Sequence, residues 1–169
     1  AIYNQIQDSV RENHFENIIN VHNVALGEHE KEEQLYVSKN VGGSSLVNND
    51  ETKEIITVHI RSGDEQLASV KHIDVIKIDV EGYEYEVLSG IRKTLLTHKP
   101  TLFIEFSGEF YAKQNTAHGQ KILALLRENS YTLFDIEDDM KKITDDTAFN
   151  HLISTARKQT NLLCIVKSK

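Results

Sequence analysis

Residues 73–90 read IDVIKIDVEGYEYEVLSG, and this stretch decides the fold. Its first half, residues 73–80, is nearly continuous in apolar residues, most of them Ile and Val. That is the composition of a strand covered on both faces, as in a parallel sheet. Gly82 gives the backbone room to turn, and residues 82–97 predict a helix whose core stripe is Val87, Leu88, Ile91 and Leu95. Pro100 cannot continue that helix and hands over to a strand at 101–106, TLFIEF. A helix over 119–129 follows, burying Ile122, Leu125 and Leu126, and then a strand over 131–136, a charged stretch and a closing strand over 161–167. The succession strand, helix, strand, helix, strand, strand predicts an α/β fold with a mainly parallel sheet. No helical pattern separates the last two strands, so their pairing is expected to be antiparallel.

Upstream, Ile2, Ile6 and Val10 recur every four residues, which predicts a short amphipathic helix over 1–13. That helix has neither a cap nor a lead-in, and we expect an upstream piece to be absent. Residues 18–26, IINVHNVAL, read as a buried strand ending at Gly27. A polar connector, 28–34, leads to strands at 35–38 and 55–60, which flank a loop over 42–50 rich in Gly, Ser and Asn. Ser62-Gly63-Asp64-Glu65 reads as a turn into a short helix, with Ser62 or Asp64 as its cap. With no repeat and no linker, residues 1–169 read as a single domain, in keeping with the length.

Composition removes several classes of function. A formal charge of −7 argues against a nucleic-acid backbone as partner, because such binders cluster Lys and Arg. No apolar run approaches the roughly 18 residues of a membrane span. The single cysteine, Cys164, excludes a disulfide framework or a cysteine-based zinc site and suits a reducing cytoplasm. The eight glycines, at 27, 42, 43, 63, 82, 90, 108 and 119, include no pair separated by one residue. The chain therefore carries no Gly-x-Gly nucleotide loop. The eight histidines include no pair at metal-ligand spacing on a predicted helix, and His118, before the helix at 119–129, reads as a surface or capping residue in preference to one facing the cleft.

Chemistry concentrates at the strand ends. Asp79, Glu81 and Glu84 lie where a strand becomes a helix, and Glu105 lies near the end of the next strand. Ligands of open α/β sheets gather beyond the carboxyl ends of the strands. If the two strands are parallel neighbours, Asp79 and Glu105 share one edge. Acidic residues in the first turn of a helix also complement its dipole, and that explanation suits Glu84. It accounts less well for Asp79 and Glu105, since a carboxylate ending a buried strand needs a partner, for which Lys77 is at hand. Tyr83, Tyr85, Phe110 and Tyr111 suit either an acceptor pocket or the core.

The segment Ile76-Lys77-Ile78-Asp79-Val80-Glu81-Gly82, then Glu84, Val87-Leu88, Gly90, Lys99-Pro100 and Glu105 resembles the signature of FkbM-type methyltransferases, which use S-adenosylmethionine. Asn13 to Asn17 and Val24-Ala25-Leu26-Gly27 resemble that family's helix end and third strand, so the likeness covers most of the chain. It implies a class I, Rossmann-like sheet in the order three-two-one-four-five-seven-six with the last strand antiparallel. This chain would supply strands three to seven, with 35–38 and 55–60 as an insertion. The family's first strand, with its glycine-rich cofactor loop, and its second strand lie outside this sequence. The resemblance then implies that 18–26 lacks sheet neighbours and that 73–80 is a bare edge, to be completed by a partner chain, a second copy or further chain on the order of 30 residues or more. Where the family often has Leu-Asp-Asp before the short helix, the chain has Ser62-Gly63-Asp64-Glu65.

The implied reaction is methyl transfer from S-adenosylmethionine to a hydroxyl of a small molecule, a sugar or natural product. A hydroxyl needs a base, and the resemblance points to Asp79, Glu81 and Glu105 as catalytic residues. It points to Ala25, Leu26, Gly27 and Asp79 as cofactor contacts. The carboxylates also suit Mg²⁺, although hydrogen bonding is the commoner role for such groups. Two other readings stand beside it: a non-catalytic binding or assembly module, and a metal-dependent hydrolase, for which a nucleophile and histidine ligands are wanting.

Overall fold

The computed structural model describes residues 2–38, 46, 52–106, 111, 116–145, 147 and 160–166. The expected loop over 42–50 lies outside these residues except for Leu46. The architecture is mixed α/β, with two sheets. Helix α1 (Ile2–Glu12) precedes a three-stranded sheet of β1 (Ala25–Gly27), β2 (Lys31–Ser38) and β3 (Thr52–Ser62), in the order β1-β3-β2. β1 runs parallel to β3, with Ala25 opposite Ile60, and β2 is antiparallel to β3. The second sheet contains β4 (Val75–Ile78), β5 (Thr101–Phe106), β6 (Tyr131–Asp135), β7 (Lys141–Ile143) and β8 (Thr160–Val166), in the order β4-β5-β8-β6-β7. β4 and β5 are parallel, and β8 is antiparallel to both β5 and β6. Among the described residues the α-helices after α1 are α2 (Gly63–Gln66), α3 (Glu84–Gly90), α4 (Arg92–His98) and α5 (Thr116–Glu128).

The main core forms where Val87 and Leu88 of α3 and Ile122, Leu125 and Leu126 of α5 meet Ile78, Leu102, Ile104, Leu133 and Leu162 of the larger sheet. Cys164 is buried in it, and burial pushes its thiol far above the ordinary range, so it stays a packed, unreactive thiol. Among the described residues no helix is long and apolar enough to cross a membrane.

Three expectations are corrected. The expected strand over 18–26 shrinks to Ala25–Gly27, because the Phe15 carbonyl accepts the amides of Ile18 and Ile19 and coils that segment. Ile18 is consequently 74% exposed. Nor does β1 lack a neighbour, since the long hairpin strand β3 pairs with it. The expected strand over 73–80 is paired only at Val75–Ile78 and is not covered on both faces, with Val75 56% exposed.

The helix expected over 82–97 is broken at Ile91. A Cβ on Gly90 would lie 1.9 Å from the Gly27 carbonyl oxygen, so only glycine admits this approach of α3 to β1. Beyond the break, Asp64 starts α4 by accepting the Lys93 and Thr94 amides at 3.0 and 2.8 Å. Asp64 thus caps a helix distant in sequence, not its own, and Ser62 likewise donates to the Gly90 carbonyl at 3.2 Å. In the charged stretch after β6, β7 turns only Ile143 inward.

Candidate functional site

The register of β4 and β5 sets Ile78 opposite Ile104, so Asp79 and Glu105 emerge side by side at the carboxyl edge. Past Asp79 the chain takes a sharp turn through two consecutive left-handed residues, Glu81 (φ 47°) and Gly82 (φ 93°), which returns Glu81 to the same place. One carboxylate oxygen from each of Asp79, Glu81 and Glu105 lies within 4.8 Å of the others. The three residues read from the strand ends are therefore brought together. Lys77 is the partner expected for Asp79, its Nζ 2.8 Å from Oδ2.

Three carboxylates this close cannot all hold full charge, and they respond differently. The hydrogen bond from Lys77, followed by one with Glu105, lowers the Asp79 pKa. The hydrogen bond with Asp79, helped by burial and by the charges of Asp79 and Glu81, raises Glu105 to about 7. Burial, and then the Asp79 charge, raises Glu81. Asp79 is thus the resident anion, and Glu105 holds a proton that it gives up near neutrality. The cluster is equipped to take a proton from a bound hydroxyl. As an all-oxygen set it could also hold a hard cation.

Between β1 and β4 lies an apolar cleft of about 690 Å³. Leu35 and Val58 of the hairpin and Val75 and Ile76 of β4 form its body, and Ala25, Leu26, Asp79, Val80 and Tyr83 also line it. Of the residues expected to touch a cofactor, Ala25, Leu26 and Asp79 share this cleft. Gly27 is not among its lining residues. It is buried, with the Ile60 side chain 2.7 Å from where its Cβ would stand and Gly90 closing over its carbonyl.

Tyr83 and Tyr111 are core residues, and Tyr85 is half-buried with Lys121 Nζ 5.2 Å from its ring centroid. Phe110 and the side chain of His118 lie outside the described residues. Sequence reasoning missed the role of Glu84. It is 1% exposed, accepts the Gly82 amide at 2.9 Å and is hydrogen-bonded by the Tyr111 hydroxyl. The local clue was a glutamate two residues past a turn glycine. The Tyr111 contact, 27 positions away, leaves no trace in local spacing.

A parallel strand pair ending in clustered carboxylates, beside a cleft along β4, defines an α/β protein with a candidate site at its strand ends. A family model for the methyltransferase FkbM domain matches residues 4–133, from α1 into β6. The chain belongs to the FkbM methyltransferase family. No curated protein and no solved structure gives a match.

Proposed function

We propose that the protein is an S-adenosylmethionine-dependent methyltransferase acting on a hydroxyl of a small molecule, a sugar or related natural product. One observation carries this reading: Asp79 and Glu105 leave adjacent parallel strands together. The hydrogen bond with Asp79 and burial raise the Glu105 pKa to about 7, which suits it to the part of base. A general base works best when its pKa lies near the working pH. Family membership supplies the reaction class. The order β4-β5-β8-β6 with β8 antiparallel supports a class I methyltransferase sheet.

The residues suit the cofactor. Ala25 and Leu26 offer an apolar wall to its adenine, and Asp79 offers a carboxylate acceptor at the same rim. When bound, S-adenosylmethionine supplies a methyl group already activated on a sulfonium sulfur. The protein's own task is then to orient and deprotonate the acceptor. Asp79, kept ionised by Lys77, holds the acceptor hydroxyl, and Glu105 in its ionised form takes the proton. The hydrogen bond with Asp79 and burial keep Glu105 basic, and the charges of Asp79 and Glu81 add to that. The gap between the two sheets supports the further reading that strands of a longer chain or of a partner enter between β1 and β4, filling the apolar body of the cleft and leaving its rim to the cofactor.

Calorimetric titration with S-adenosylmethionine tests this reading. We expect saturable binding, weakened at least about tenfold in Asp79→Asn, the loss of one charge-assisted hydrogen bond. Equal affinity in the two proteins would remove Asp79 from the cofactor site. Absence of binding by both this chain and any longer native form would favour a non-catalytic binding module.

A further inference from the structure

We propose that Glu84 and Tyr111 form a buried clamp that positions Glu81 against Asp79 and Glu105, Glu84 holding the peptide between Glu81 and Gly82 and Tyr111 tying that turn to the end of β5. The inference deepens the reading of the acidic site given above and rests on it for its catalytic consequence.

A glutamate in the first turn of a helix ordinarily stays in water, where it complements the helix dipole without losing hydration. Glu84 is instead almost wholly buried, a costly location for a carboxylate unless hydrogen bonds replace water. Both replacements are in place: the Gly82 N–H donates to Oε1 at 2.9 Å, and the Tyr111 hydroxyl donates to Oε2. The Gly82 amide belongs to the peptide linking the two left-handed residues, Glu81 and Gly82. A side chain at Glu81 makes that conformation unfavourable, so the turn relaxes unless something holds it. Fixing this peptide plane fixes the direction in which the Glu81 side chain leaves the backbone.

The other end of the clamp reaches the second strand. The Tyr111 ring stacks on Phe106, with centroids 4.9 Å apart and planes 17° apart, and Phe106 follows Glu105 directly. Burial and the adjoining Glu84 charge push the Tyr111 phenol far above its ordinary range, so it remains a donor throughout the physiological range. The ring of contacts therefore runs from Glu81 through Gly82, Glu84, Tyr111 and Phe106 to Glu105. It joins the turn after β4 to the end of β5, where Asp79, Glu81 and Glu105 meet.

The hydrogen bond with Asp79 and burial lead in raising Glu105, the charges of Asp79 and Glu81 add to them, and Lys77 opposes them. The Glu105 titration midpoint, followed by carboxyl-carbon NMR on the full chain, thus reports where Glu81 stands. Tyr111→Phe keeps the stacked ring and removes only the donor. We expect it to lower the midpoint from about 7 toward the ordinary 4.5, in the same direction as Glu81→Gln. Glu84→Gln keeps an acceptor for the Gly82 amide and is expected to hold the midpoint near the wild-type value. In turnover, Tyr111→Phe should lower kcat roughly tenfold with KM for S-adenosylmethionine within about twofold, the pattern of a misplaced reacting group.

An unchanged Glu105 midpoint in folded Tyr111→Phe would overturn the clamp. Should that variant not fold, hydrogen exchange of the wild-type Gly82 amide decides: strong protection is expected, and exchange at the rate of an open turn would overturn it. The midpoint needs no turnover, so failure of methyl transfer refutes the proposed function while the NMR result still judges the clamp.

Discussion

Glu84 and Glu105 are both glutamates near the carboxyl edge of the larger sheet, and both have raised pKa values, for different reasons. Burial is the leading cause at Glu84, whose carboxylate accepts the Gly82 amide and the Tyr111 hydroxyl. At Glu105 the leading cause is the hydrogen bond with Asp79, and the site is partly open to solvent. A shifted pKa alone therefore does not identify a reacting group. Glu84 is enclosed, and its two oxygens already accept the Gly82 amide and the Tyr111 hydroxyl, whereas Glu105 is hydrogen-bonded to Asp79, which lines a cleft. On the function proposed above, the first holds structure and the second is placed for chemistry.

The largest effect that divides them is on rate. Glu105→Gln should lower methyl-transfer kcat about 100-fold or more, the usual worth of a general base, with the melting temperature held within about 2 °C. Glu84→Ala should do the reverse in kind. It strands a buried N–H and a buried O–H, costing about 3 kcal/mol and roughly 6–12 °C in melting temperature. If the two variants lost stability alike, the contrast would collapse. Gly90→Ala probes the scaffold beneath both residues. The new Cβ would meet the Gly27 carbonyl, a backbone atom that cannot swing aside, and we expect a loss of about 1–3 kcal/mol in denaturant unfolding.

The smallest effect is a pH dependence of stability. Glu105 holds its proton more tightly folded than unfolded, so its contribution is complete below about 4.5 and is lost as pH rises to about 7. Measured against Glu105→Gln, wild-type stability should fall across that window and level off above it. A rise across the window would contradict the shared proton.

What could be read in the sequence followed from local chemistry. The strands at 101–106 and around 75–78, the stripe of Val87, Leu88, Ile91 and Leu95, and the meeting of Asp79 with Glu105 all follow from residue period and strand direction. The features that escaped were those decided by distant neighbours. Nothing local to Gly90 announces the Gly27 carbonyl packed against it, and nothing local to Asp64 announces Lys93 and Thr94. Residues 18–26 misled because an apolar run reads as a strand whether or not a partner waits for it. In the fold Ile18 is exposed and only Ala25–Gly27 find β3. Glu84 misled in the opposite sense, since its position in a first turn already had a sufficient explanation.

The central claim is that the Asp79–Glu105 pair is the proton acceptor of a methyl transfer. Its most direct test is the rate of transfer of labelled methyl from S-adenosylmethionine to a panel of sugar and natural-product hydroxyls, measured from pH 5 to pH 9. For accepted hydroxyls the rate should climb through about pH 7, where Glu105 ionises, and then level off, with that inflection lost in Glu105→Gln. A profile unchanged in Glu105→Gln, or no transfer to any acceptor by a protein that binds S-adenosylmethionine, would contradict it.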